Sequence, residues 1–115
     1  MHELGIMTNV LELALEYAQQ NKVKKIRAIN LTVGAISGIV PKFAQMFFNH
    51  ISKGTIAENA KINIQKTPVR IVCRSCGVET EIETQNSSFS CIECGSEAIQ
   101  LISGKEISIA SIEVE

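Results

Sequence analysis

Apolar residues recur at three- and four-residue spacing from Leu4 to Gln20. Leu4, Met7, Leu11, Ala14, Leu15 and Ala18 share one side, with Glu12, Glu16 and Gln19 opposite. That period predicts an amphipathic helix. Asn21 and Lys22 end it, and the basic cluster Lys22, Lys24, Lys25 and Arg27 reads as a solvated turn complementing the helix dipole. From Ile26 to Ile36 the period becomes two, with Ile29, Leu31 and Val33 alternating, so a strand is expected, its end bracketed by Gly34 and Gly38. Pro41 suits the first turn of a second helix, whose predicted apolar stripe is Phe43, Met46, Phe47 and Ile51 and which Gly54-Thr55 closes. The aromatic cluster Phe43, Phe47 and Phe48 reads as core, and His50 as a lone histidine without a metal role. Lys61 to Lys66 predicts a short strand with Ile62 and Ile64 on one face, interrupted at Thr67-Pro68.

Beyond Pro68 the patterning gives way to local chemistry. Two Cys-x-x-Cys-Gly knuckles, at Cys73, Cys76 and Gly77 and at Cys91, Cys94 and Gly95, hold all four cysteines. Two residues between cysteines allow both sulfurs to face one ion, and two such turns complete a tetrahedral thiolate shell. The following glycine lets the chain leave with positive φ, which a Cβ would penalise. A closed shell leaves no position for substrate, which points to structural zinc. Two disulfides, free thiols or iron in a rubredoxin-like site are the alternatives. The chain has no Trp and one Tyr, so the aromatic surroundings common around such iron are missing. Glu79 to Thr84 predicts a polar strand between the knuckles, Gln85-Asn86-Ser87-Ser88 a turn, and Phe89 a cover over the metal. Lys105 to Ala110 alternates again, with Ile107 and Ile109 on one face. A small ribbon offers little apolar surface to pair with it, so the strand is expected to rejoin the amino-terminal sheet. The fold class expected is therefore α+β: two helices packed on a small three-stranded sheet, with an inserted four-cysteine zinc-ribbon subdomain. The domains expected are 1–68 plus 105–115, and 69–104.

At 115 residues and 45% apolar, the chain is sufficient for one core with an appendage. No apolar run reaches the roughly 20 residues needed to span a bilayer, and the amino end lacks the pattern of a signal peptide. Clustered thiols without an export signal suggest the cytoplasm. The net charge is −1, and every acidic residue is glutamate. Around the cysteines, Arg70 and Arg74 face Glu79, Glu81, Glu83, Glu93 and Glu97, to which thiolates add more negative charge. Nucleic-acid binding needs a basic footprint, and this composition argues against it. No nucleophile–base pair, glycine-rich phosphate loop or Walker lysine is present, so no catalytic residue is assigned.

One further group remains, Met1-His2-Glu3 before the first helix. A free terminal amine, the next backbone nitrogen and the imidazole of residue two can form fused five- and six-membered chelate rings. Nitrogen ligands in planar or tetragonal geometry suit Ni(II) and Cu(II). Glu3 could add a backbone nitrogen or a carboxylate oxygen.

With Met1-His2-Glu3-Leu4 opening an amphipathic helix and the paired knuckles late in the chain, the sequence resembles the hydrogenase nickel incorporation protein family, HypA/HybF. Leu31-Thr32-Val33-Gly34, Gly54-Thr55, Ala60 and the closing Ile112-Glu113-Val114 share in the resemblance, which spans essentially the full length. Gly5 stands where many members have serine, and Lys42 where an acidic residue is frequent. The resemblance implies a metallochaperone and not an enzyme. Ni(II) would be its cargo, bound through Met1, His2 and Glu3, and Zn(II) would be structural, held by Cys73, Cys76, Cys91 and Cys94. The partners implied are the large subunit of [NiFe]-hydrogenase and a nickel-binding maturation GTPase, with urease a further recipient in some members. No membrane or nucleic-acid partner is expected. The chain would act as a monomer or a homodimer, the last strand pairing within its chain or with another protomer. A zinc-ribbon adaptor, a scaffold without nickel transfer and an iron electron carrier are the rival readings.

Overall fold

The first helix, α1, spans Glu3–Gln20 and buries Met7, Val10, Leu11, Ala14 and Ala18. Its predicted stripe is shifted at the start: Leu4 is exposed, while Val10 joins the core. The helix ends in a Schellman turn. Lys22 adopts φ 54°, and the Val23 N–H reaches back to the Ala18 carbonyl at 3.0 Å. The second helix, α2, spans Pro41–Ile51. Here the expected stripe is corrected, because Ala44 and Phe48 are the buried pair and Phe43 and Met46 lie exposed. A small Ala44 lets the helix approach closely beside Phe48, and this spacing of four defines the face. Ser52 caps the end of α2, ahead of Gly54, whose φ of 82° turns the chain afterwards.

The structure, a computed structural model, describes residues 3–82 and 90–115. Strands β1 (Ile26–Gly34), β2 (Lys61–Thr67) and β6 (Ile107–Val114) form one sheet in the order β2-β1-β6. The expected strand Ile26 to Ile36 therefore stops at Gly34. Arg27 meets Glu115, Asn30 meets Ser111 and Thr32 meets Ser108, so β6 runs antiparallel to β1. The last strand thus returns to the amino-terminal sheet, as its alternation implied. β3 (Val69–Cys73), β4 (Glu79–Ile82) and β5 (Ile99–Ser103) form a second antiparallel sheet in the order β4-β3-β5. Sequence reading had anticipated only β4 among these three. The predicted turn at 85–88 and Phe89 lie outside the described residues.

Contacts divide the chain into two compact units. One holds the described residues up to Thr32, Gly38–Gln65 and Ser108–Glu115. The other holds Val33–Ser37 and the described residues of Lys66–Ile107. In the first, Ile26, Ile29 and Leu31 are at most 1% exposed and Phe48 is fully buried. Phe48→Ala is expected to cost about 3–5 kcal/mol, read as a lower midpoint of chemical denaturation with an unchanged slope. No helix among the described residues is long and apolar enough to cross a membrane.

Candidate metal centre

The two knuckles repeat one hydrogen-bonding scheme. The Cys73 N–H donates to the Val78 carbonyl at 2.9 Å and the Gly77 N–H to the Cys73 carbonyl at 2.8 Å. In the second knuckle the Cys91 N–H donates to Ser96 and the Gly95 N–H to Cys91, each at 2.8 Å. Gly77 and Gly95 take φ of 77° and 73°, the left-handed turn their sequence position implied. The Ser75 and Ser96 hydroxyls lie 2.9 Å apart and tie one knuckle to the other. Their position inside and just after the knuckles was visible in the sequence, but their pairing across 21 residues was not.

β3 delivers Cys73, and the turn after it presents Cys76, while Cys91 and Cys94 come from the turn before β5. All four sulfurs lie within 4.8 Å of one another. Two pairs cross between the knuckles, Cys73 with Cys94 at 3.6 Å and Cys76 with Cys91 at 3.5 Å. Cys73 and Cys91 are buried and Cys76 and Cys94 exposed, so each cross pair joins an inner sulfur to an outer one. The chain thus carries a four-cysteine metal site whose geometry suits a tetrahedral ion.

The thiols are electrostatically unequal. The Cys76 N–H points at the Cys73 sulfur from 3.4 Å and, helped by further hydrogen bonds, lowers its pKa to about 6. The Val78 N–H acts in the same sense on Cys76. There, hydrogen bonding to Cys91 and desolvation outweigh it and push the thiol up to about 12. The Ser96 N–H likewise favours the Cys94 thiolate, but hydrogen bonding to Cys73 and desolvation leave that thiol raised. Cys73 therefore yields its proton readily, whereas Cys76 and Cys94 need a cation to do so.

Among the proposed nickel residues, Met1 and His2 lie outside the described residues. Glu3 begins α1, is 4% exposed, and accepts a hydrogen bond from the Val40 N–H at 3.3 Å. Sequence reading missed this link, since nothing local joins residues so far apart.

The family model for hydrogenase/urease nickel incorporation, metallochaperone HypA, matches residues 1–114. The hydrogenase maturation factor HypA of Aquifex aeolicus is 36% identical over 115 residues, covering 100% of this chain and 98% of that one. That of a Nostoc species is 41% identical over 115 residues, covering 100% and 96%. Among solved structures, the nickel metallochaperone HypA of Helicobacter pylori superposes with a TM-score of 0.72 at 21% identity, covering 99% of this chain and 97% of that one, which supports the fold. A further HypA solution structure gives 0.75 at 21% identity, covering 100% and 97%. The α+β architecture, the four-cysteine site and the full-length matches converge: the chain belongs to the HypA family of nickel-incorporation metallochaperones.

Proposed function

We propose that this chain binds Ni(II) at its amino terminus and delivers it to the large subunit of [NiFe]-hydrogenase, working with a nickel-binding maturation GTPase. Urease is a second recipient class. Met1 supplies the terminal amine, His2 its imidazole and backbone nitrogen, and Glu3 a further donor through its backbone nitrogen. Residues 1–68 with 105–115 form the nickel domain and residues 69–104 the zinc domain, where Cys73, Cys76, Cys91 and Cys94 hold Zn(II) structurally. The protein works in the cytoplasm and performs no catalysis. Membership of a nickel-incorporation family over residues 1–114 is the observation that carries this reading.

The chemistry suits a carrier. A chelate at a chain end offers ligands that a docked acceptor can replace one at a time. Zinc in a closed thiolate shell is, by contrast, poorly placed for handover. Affinity for nickel should fall on acidification, because protons compete for the amine and the imidazole.

The test is a Ni(II) titration of zinc-loaded protein with its native amino terminus, beside protein extended by Gly-Ser and beside His2→Ala. Tight one-to-one binding to the native chain alone is expected, with fold and zinc content intact in all three. Equal binding by the extended chain would move nickel elsewhere, to His50 or the cysteines. Absence of binding throughout would leave a zinc-ribbon scaffold.

A further inference from the structure

Helix α2 begins without the groups that usually satisfy a helix amino terminus. Its N-cap is Val40, which makes no side-chain capping bond, and its first turn contains no acidic residue. Lys42 instead places a positive charge beside the positive end of the helix dipole. Such an end calls for an acceptor and a negative charge. Glu3 supplies both from another helix, through the bond from its carboxylate to the Val40 N–H. In a capping box, a glutamate at the third position of the same helix makes this bond to the N-cap N–H. Here the glutamate is the first residue of α1, and it is 4% exposed where surface glutamates are normally solvated.

We infer that Glu3 is a positioning residue: its carboxylate caps α2 in trans and thereby fixes the origin of the amino-terminal chelate against that helix. This rests on the nickel reading above. Chain ends in general are poorly ordered unless a neighbouring residue ties them down. With Glu3 held, the two residues preceding it start from a fixed point. That point lies beside Val40, and α2 next presents Lys42 and the half-exposed Phe43. An acceptor protein then meets the metal at a defined place, and nickel occupancy is linked to the order of the first turn of α2.

The test combines amide exchange at Val40, followed by NMR, with Ni(II) titration and the nickel absorption spectrum, for the native protein, Glu3→Gln and Glu3→Ala. Glu3→Gln keeps an oxygen acceptor, so it should retain most of the Val40 protection and an unchanged nickel spectrum. Glu3→Ala should lower Val40 protection roughly 3- to 30-fold, the range for loss of a cap. It should also weaken nickel binding with the spectrum unchanged, while helical circular dichroism persists. Unaltered Val40 protection in Glu3→Ala would refute the cap. A changed nickel spectrum in Glu3→Gln would make the carboxylate a ligand and overturn the positioning role. If the native protein bound no nickel, the terminal site itself would fail, and with it the positioning role, whereas Val40 exchange would still decide the cap.

Discussion

Gly34→Ala is expected to destabilise the protein by about 3 kcal/mol or more, the upper range for forcing atoms into packed structure. A Cβ at this position would land on the Gly104 carbonyl group and 2.5 Å from the Lys105 nitrogen. These neighbours are backbone and cannot swing aside. Relief requires the segments to part, which loosens the Gly34 N–H bond to the Glu106 carbonyl (2.7 Å) and the Ile36 N–H bond to the Gly104 carbonyl (2.9 Å). The same junction is held by the Glu106 carboxylate, which accepts from the Gly104 N–H at 2.8 Å and from the Thr67 hydroxyl at 3.0 Å. The Gly104 N–H foremost holds the Glu106 carboxyl below its ordinary range. That contribution is present above the carboxyl's unfolded pKa and is lost as pH falls through the folded one. Urea unfolding of Gly34→Ala beside Gly5→Ala separates steric from generic effects. Gly5 is a helical glycine whose Cβ would meet nothing within 4 Å, so there alanine should stabilise by roughly 0.5–1 kcal/mol. Equal midpoints for the two variants would contradict the close approach.

Stripping the metal, or replacing Cys91 with serine, should have the second large effect, confined to the ribbon. Val69, Ile71, Cys73 and Cys91 are the buried apolar residues between Pro68 and Ser103 among those described. Four side chains, two of them metal ligands, cannot offset the chain entropy of ordering this segment at about 1–2 kcal/mol per residue. Bound zinc contributes on the order of 10 kcal/mol in comparable small sites. A chelator should therefore abolish NMR dispersion for the β3 and β5 amides while the helical circular dichroism of α1 and α2 remains. All four thiols should become reactive together. Metal affinity should also drop as pH falls through the neutral range, because Cys76 and Cys94 hold their protons when no cation is bound and must release them on loading. A metal-free ribbon with retained dispersion would show that its own packing suffices.

Where sequence and structure agree, the determining interactions are local. The knuckles fix their turns through cysteine spacing and one glycine each, and α1 and β1 follow periods of 3.6 and two. Where they part, the deciding contact is remote. Phe43 and Phe47 outweigh Ala44 in hydrophobicity, yet the helix packs through Ala44 and Phe48, because closeness of approach selects the face. β3 and β5 are short, and one ends in the knuckle whose chemistry masks its alternation. They exist chiefly through their mutual register, Ile71 opposite Leu101 and Val72 opposite Gln100. The Glu3–Val40 bond belongs to the same class of long-range facts.

The insertion of the ribbon ahead of β6 also sets a constraint on folding order. Pairing Asn30 with Ser111 closes a loop of 81 residues, and such non-local strand pairing is slow. Once β3 and β5 are joined, Arg70 stands opposite Ser103, so the stretch separating Thr67 from Ile107 shrinks to a few effective links. By loop-closure entropy, with β2 already paired to β1, this favours docking of β6 by roughly 1 kcal/mol. Metal loading of the four cysteines would then act early in biogenesis, as a chain-shortening event that hastens completion of the other sheet.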